Sequence, residues 1–453
     1  MTGFRFFCAA AFPMGRFHVR PRSRIPSSMK RRSLLHQTAV LSCANGLVRA
    51  LGFVMRIWLS RVMGAEAIGV LELASSAHML WIAPATSGIP LAVAREAAAG
   101  QGEAALRAGR RLVRRIALWM MPFLVLLLPV IARLLGDMRT LPALLVYLPC
   151  LPVLGLSAAY NGYCYGMGDT LPPALSELLE QALRFAVCAA VLLSVSDLTA
   201  AGAAAVPPLA TLIGEIAGLA LVVRLLGRHG LSAGSGARDA ALEKKIWSLA
   251  APVTGMRVTN TLMRTVNAAM LPLRLRAGGL SAQEATARLG MFSGMAMPWV
   301  MLPGVVTGAL AMVVGPALAR RERDGKALRR LLLRVLPGAL GISLLCGAGL
   351  WVASPFLAMH VYRQPDLAAL LPALAPLVPV TGLEQVLGGM LAGLGKQRST
   401  LAASLTGALL TLALNYALVP EHALTGCAWA HIAGHSLTLL MNLRTLIRTA
   451  RRA

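Results

Sequence analysis

Twelve stretches of about twenty predominantly apolar residues follow one another along this chain, each long enough to cross the roughly 30 Å hydrocarbon core of a bilayer as a helix. They run Leu34–Leu59, Ile68–Thr86, Ile116–Ala132, Leu141–Tyr160, Pro173–Ser194, Ala200–Val223, Ile246–Leu271, Met291–Ala317, Val335–Ser354, Leu367–Leu391, Thr400–Leu418 and Leu424–Leu443. Glu72, the pair Pro149 and Pro152, and the run Pro372, Pro376 and Pro379 interrupt the second, fourth and tenth stretches. Proline is tolerated in a membrane helix when neighbours satisfy the freed backbone groups. A water-soluble alternative fails on composition. Apolar residues make up 57% and charged residues 14%, against about 45–50% and about 25% in soluble domains.

Charge placement orients the stretches. With the N-terminus inside, 32 of the 44 Lys and Arg fall on inner loops and tails and 7 on outer loops. This is the positive-inside distribution of a multi-pass plasma-membrane protein with both termini cytoplasmic. It accounts for most of the net charge of +26 through topology and contact with anionic lipid, and leaves no call for nucleic acid. In residues 1–33 the apolar run Phe6–Phe12 precedes the basic run Arg16–Arg32, the reverse of a secretory signal. These residues read as a basic tail, disordered or the product of an upstream start, with Met29 an ordinary beginning. Residues 34–228 and 246–443 then form six-helix bundles, 229–245 a cytoplasmic linker and 444–453 a basic tail. Seven dispersed cysteines without a CxxC indicate neither a disulfide framework nor zinc.

The halves echo each other. A shift of 227 residues lays Gly162, Gly166 and Gly168 on Gly389, Gly393 and Gly395, and a shift of 220 lays Ala210, Gly214 and Arg224 on Ala430, Gly434 and Arg444. Six intervening stretches, an even number, make such repeats parallel.

The five remaining Lys and Arg are the arginines Arg49, Arg56, Arg184, Arg257 and Arg264, inside apolar stretches. Each would cost about 2.5–3.5 kcal/mol at the helix centre in lipid, so they should face water or partners. At 100° per residue Asn45, Arg49 and Arg56 fall within about 40°, and Arg257, Asn260, Arg264 and Asn267 within about 80°. These are single polar stripes on the first helices of the two halves, and pseudo-twofold symmetry would bring them face to face across a cationic central cavity. Glu180 and Arg184 form an i, i+4 pair able to neutralise itself on a face shared with Glu177 and Gln181. Glu72, Glu215 and Glu384 are lone acids, candidates for partnering arginines or coupling transport to an ion. His431 and His435 lack the adjacent Glu of a metalloprotease helix and read as packing residues. No Walker loop, GxSxG or grouped loop carboxylates indicate an enzyme, and no cofactor or metal is implied.

Several short runs carry a resemblance: Val48-Arg-Ala-Leu-Gly-Phe53, Arg61-Val-Met-Gly-Ala65, Ser87-Gly-Ile-Pro90, Gly162–Arg184 with Glu180-Gln181, Gly290–Pro298 with Leu302-Pro303, and Leu374-Ala-Pro376 leading to Glu384-Gln-Val-Leu and Gly393-Leu-Gly-Lys-Gln397. Over roughly residues 34–446 the chain resembles the stage V sporulation protein B family of the multidrug, oligosaccharidyl-lipid and polysaccharide (MOP) flippase superfamily. The resemblance implies an all-α polytopic protein of about 12 transmembrane helices in two pseudo-symmetric six-helix bundles, the MATE-like fold, around a V-shaped cavity. It implies export of a polyprenyl-phosphate-linked sugar such as a cell-wall precursor in spore formation, with membrane lipids and cell-wall synthesis proteins as partners. Arg49 matches the basic first helix of the more distant lipid II flippases. Arg56 stands one position out of step with it. The family often carries two further C-terminal helices beyond these twelve stretches.

The expected mechanism is alternating access, with Asn45, Arg49, Arg56, Arg257, Asn260, Arg264 and Asn267 binding a pyrophosphate. Glu72, Glu180, Arg184, Glu215 and Glu384 are the charge or coupling partners. The alternatives are a multidrug exporter coupled to Na+ or H+, which would want an acidic, aromatic cavity, a membrane glycosyltransferase with catalytic acids grouped outside, and a non-transporting scaffold for wall synthesis.

Overall fold

A computed structural model describes residues 34–195, 197–228, 239–304, 306–308, 310–311 and 325–452, of which 34–45, 325–334 and 450–452 are described as backbone only. The basic tail 1–33 and most of the linker lie outside them. Every described residue is helical or in a turn between helices. This follows from the composition, because a segment without water must satisfy its own backbone hydrogen bonds.

Glycine and proline place the breaks. The run Leu34–Thr86 is interrupted at Gly64, whose φ of 77° lies in the left-handed region that suits glycine. Gly100, at φ 94°, turns the chain between helices Gly88–Glu96 and Gly102–Leu134. The fourth stretch bends by 43° between Met138–Tyr147 and Cys150–Met167, beside Pro149. The tenth bends by 44° between Leu367–Leu374 and Leu377–Gly393, beside Pro376. Proline denies the preceding turn a donor and crowds its carbonyl, so both bends have a local cause. Glu72, by contrast, interrupts nothing and sits inside a continuous helix.

Several helices extend past the apolar stretches. Ile116–Ala132 is the C-terminal part of a 33-residue helix, Gly102–Leu134. Helix Ala240–Ala277 begins within the expected linker, and Gln397–Arg452 continues through the expected C-terminal tail after a break at Ala423. By length and apolarity four described helices qualify as membrane spans, or six when each bent pair counts as one. That number is smaller than twelve partly because one qualifying run, Gly46–Leu134, is continuous across the breaks at Gly64 and Gly100. Helix Leu171–Ser194 meanwhile carries Glu177, Glu180 and Arg184 together.

The chain divides into two compact units. One gathers Ile57–Glu72 and the described part of Met263–Ala453; the other gathers the described residues before Ile57 and Leu73–Leu262. Both divisions of the stripe-bearing helices fall within the helix itself, after Arg56 and after Leu262. In the second unit Ile89, Val93, Leu112, Val113, Tyr160 and Ile246 share a core. In the first, Ala339, Val386, Leu387, Met390, Leu391 and Leu446 do so.

The sequence echoes have a packing basis. A Cβ on Gly162 would collide with the Pro90 carbonyl, and one on Gly389 would crowd Ala311. A Cβ on Gly214 would press on the backbone of Glu180, and one on Gly434 on Gly407 and Thr411. These four glycines are therefore helix-crossing points, where small residues let backbones approach, whereas Gly168 and Gly395 sit in open space at left-handed φ of 74° and 68°.

Candidate functional site

The polar stripe of helix Ala240–Ala277 sits on an unbroken helix, so the angular register of Arg257, Asn260, Arg264 and Asn267 is retained. Arg257, Asn260 and Asn267 are half-buried, while Arg264 is exposed and takes no partner among the described residues. Asn267 donates to the Met263 carbonyl at 3.1 Å and accepts from Asn415 Nδ2 at 3.4 Å. This makes Asn267 part of a helix-to-helix hydrogen bond. On the first helix Arg49 and Arg56 are half-buried, and the side chain of Asn45 lies outside the described residues. A guanidinium left in acyl chains carries a penalty of about 2.5–3.5 kcal/mol on insertion scales. An exposed arginine within an apolar stretch calls for water or an anion.

The acidic face of helix Leu171–Ser194 is built differently. Glu177, Glu180, Arg184 and, from helix Ala200–Arg228, Glu215 are all buried. Ser176 Oγ donates to Glu180 Oε1 at 2.7 Å, and Arg184 Nη2 lies 3.9 Å from Glu215 Oε1. Gly218 makes room for this cluster, since a Cβ there would collide with Glu180 Oε1. The lone acid Glu215 thus lies against an arginine of the adjacent helix. Beside it His78 is fully buried, stacked on Tyr147 at 3.9 Å between centroids and edge-on to Trp81 at 5.8 Å. The Tyr147 hydroxyl in turn shares a hydrogen bond with Ser75 at 3.0 Å.

The start of the stripe-bearing helix is pinned by ion pairs. Glu243 accepts from Arg111 Nε at 2.6 Å and Arg115 Nη1 at 2.9 Å, and Lys245 Nζ donates to Glu96 at 2.6 Å. Glu96 and Glu243 are buried, and a buried carboxylate stays ionised only when paired. Sequence reasoning missed these two acids because it counted their surroundings as loop charge. Helical spacing carried no signal for them, because Glu96 pairs with Lys245 and Glu243 with Arg111 and Arg115, all remote in sequence.

In the other unit Glu384 meets His435 Nδ1 at 2.7 Å, and His431 Nδ1 lies 2.9 Å from the Cys427 carbonyl with its ring 4.9 Å from that of Phe292. His431 is a packing residue, whereas His435 has a carboxylate partner that spacing did not suggest. Glu72 is half-buried, with its Cγ 3.9 Å from where a Cβ on Gly294 would lie. Arg274 stacks 3.9 Å above the Tyr416 ring and donates to the Tyr416 carbonyl at 3.0 Å. Arg288 pairs with Asp366 at 2.8 Å. Among the described residues no group of His, Cys, Asp and Glu is placed to hold a metal ion.

Comparison with known proteins extends this geometry. The model of the family described as "Polysaccharide biosynthesis protein" matches residues 34–322. Stage V sporulation protein B of Bacillus subtilis (strain 168) is 26% identical over 448 residues, covering 92% of this chain and 84% of that relative. Among solved structures, the inward-facing conformation of a multidrug resistance MATE family transporter of the MOP superfamily superposes with a TM-score of 0.74 at 16% identity, over 93% of this chain and 99% of that one. A MOP superfamily transporter from Pyrococcus furiosus superposes with a TM-score of 0.64 at 16% identity, over 92% and 95%. The fold is therefore the MATE-like one expected from sequence.

Proposed function

Because the chain belongs to the polysaccharide biosynthesis protein family, we propose that it is a flippase carrying a lipid-linked oligosaccharide or cell-wall precursor across the plasma membrane, in the service of spore cortex or peptidoglycan synthesis. That it is a multi-pass membrane protein of the flippase and transporter kind, not an enzyme, follows from its relatives. The finer reading rests on the exposed Arg264 in the stripe it shares with Arg257 and Asn260. Guanidinium matches phosphate oxygens bidentately and keeps its charge at any working pH. Arg49 and Arg56 are the corresponding groups of the first helix. The pyrophosphate of a polyprenyl-linked sugar has the charge and geometry such groups bind, and its tail stays in lipid while access alternates between the two sides.

A multidrug carrier of organic cations would want the opposite polarity. A MOP superfamily transporter of this fold has been described as having a binding pocket of reversed polarity, suggesting a different function, so polarity rather than fold discriminates the substrates. Outward movement of an anion is helped by an inside-negative potential, by about 2.3 kcal/mol per charge per 100 mV. The test is flipping of a fluorescent polyprenyl-pyrophosphate sugar in proteoliposomes. Arg264→Ala should slow it at least about tenfold, a loss of about 1.4 kcal/mol at the transition state, and Arg49→Ala should slow it similarly. Unchanged flipping in both variants would overturn the reading, and unchanged flipping at zero potential would remove the energy source.

A further inference from the structure

Helix Gly102–Leu134 changes character along its length. Its first turns bring basic residues, and from Ile116 to Ala132 it is apolar. On the inner side, as the distribution of Lys and Arg assigns it, Arg111, Arg114 and Arg115 fall within about 100° of one another around the axis. Arg111 and Arg115 share a single carboxylate, Glu243. Arg114 is exposed and has no partner among the described residues. Three guanidinium groups against one carboxylate leave a local surplus of two positive charges.

Directly along the same stripe runs an open apolar strip of one helix face, made by Leu118, Trp119, Pro122, Phe123 and Leu126. Residues four apart follow one another down a helix face, so Arg114 leads to Leu118, Pro122 and Leu126, and Arg115 to Trp119 and Phe123. Trp119 is 78% exposed and Leu126 75%. Leu118 to Leu126 spans about 12 Å of axis, within the roughly 15 Å of hydrocarbon in one leaflet. A tryptophan one turn into the apolar stretch stands at headgroup depth, where its amphipathic ring is favoured.

We infer that this face is a binding site for an anionic glycerophospholipid of the inner leaflet, with the headgroup phosphate held by Arg114 and Arg115 and an acyl chain lying along the apolar strip against Trp119. Topology places basic residues at this end of the helix, and the two guanidinium charges left over beside Glu243 give the face a preference for an anion. Charge complementarity selects an anionic occupant over a zwitterionic one. The site is separate from the polar stripe of Ala240–Ala277 and does not depend on what the protein transports.

The test uses the full chain reconstituted in mixtures of brominated phosphatidylglycerol with phosphatidylcholine, and the reverse labelling. Subtracting the signal of Trp119→Phe isolates the quenching of Trp119. Brominated phosphatidylglycerol is expected to quench Trp119 well beyond its share of the lipid. The preference should fall roughly fivefold in Arg114→Gln and again in the Arg114→Gln/Arg115→Gln variant, as about one lipid-binding contribution is removed with each arginine. The Arg114→Lys/Arg115→Lys variant should keep most of it, separating charge from misfolding. Equal quenching by the two lipids, a preference that survives the double glutamine variant, or displacement of phosphatidylglycerol from Trp119 by an equimolar polyprenyl phosphate would each overturn the assignment.

Discussion

Two helices of this protein carry arginine through apolar sequence and handle it in opposite ways. On Leu171–Ser194 the guanidinium of Arg184 is buried and lies 3.9 Å from the carboxylate of Glu215, with Glu177 and Glu180 close by in sequence and a serine hydroxyl on Glu180. On Ala240–Ala277 the guanidinium of Arg264 is exposed and takes no partner among the described residues. A charge answered by a buried countercharge belongs to the scaffold, because removing either member strands the other in low dielectric. A charge held open in an apolar stretch is a liability to folding that a ligand can offset. Intramembrane arginine is therefore not one signal but two, and only the partner tells them apart.

The contrast can be broken most severely at Arg184. Arg184→Met should destabilise the protein by about 3–5 kcal/mol, the cost of breaking a buried charge cluster, read as a large fall in the midpoint of thermal unfolding in detergent. A midpoint close to that of the parent protein would make the cluster something other than structural. Next comes Gly218→Ala, whose added methyl collides with the Glu180 carboxylate and should cost about 1–3 kcal/mol by overpacking. Gly255→Ala, where a Cβ meets nothing within 4 Å, is the matched control on the arginine-stripe helix and should be neutral or slightly stabilising.

At Arg264 the expectation inverts. Arg264→Ala should leave the unfolding midpoint unchanged or raise it while transport falls about tenfold, so a variant that loses stability and transport in proportion would erase the distinction. The smallest effect concerns pH. Outside the apolar stretches the Glu284 carboxyl is held below the usual carboxylate range, first by the Ser281 hydroxyl and then by the Ser281 backbone N–H. A depressed pKa contributes stability above the unfolded-state value and loses it as pH falls through the folded one. The Ala282–Leu289 cap should accordingly loosen only in acid, and hydrogen exchange in that helix should lose its acid sensitivity in Ser281→Ala.

Much of the architecture was legible in advance because bilayer thickness and helical rise leave few ways to arrange such apolar stretches. The bends beside Pro149 and Pro376 were foreshadowed by the prolines, and the echoed glycines Gly162, Gly214, Gly389 and Gly434 turned out to mark helix crossings. The site was legible only in part. Helical period places Arg257, Asn260, Arg264 and Asn267 on one face, yet it could not foresee that Asn267 spends its amide on Asn415. Nor did spacing reveal the buried acids Glu96 and Glu243, whose partners lie 149 and 132 residues away.

Sequence alone determined that this chain spans a membrane many times, which faces of its helices are polar, and where the chain can bend, since all three depend on residues within a few turns of one another. Which charges are answered was decided only by the tertiary structure. Arg184 found Glu215 on a neighbouring helix, and Glu384 found His435 at a separation of 51 residues. A countercharge acts through space, and its distance in space is set by packing rather than by position along the chain.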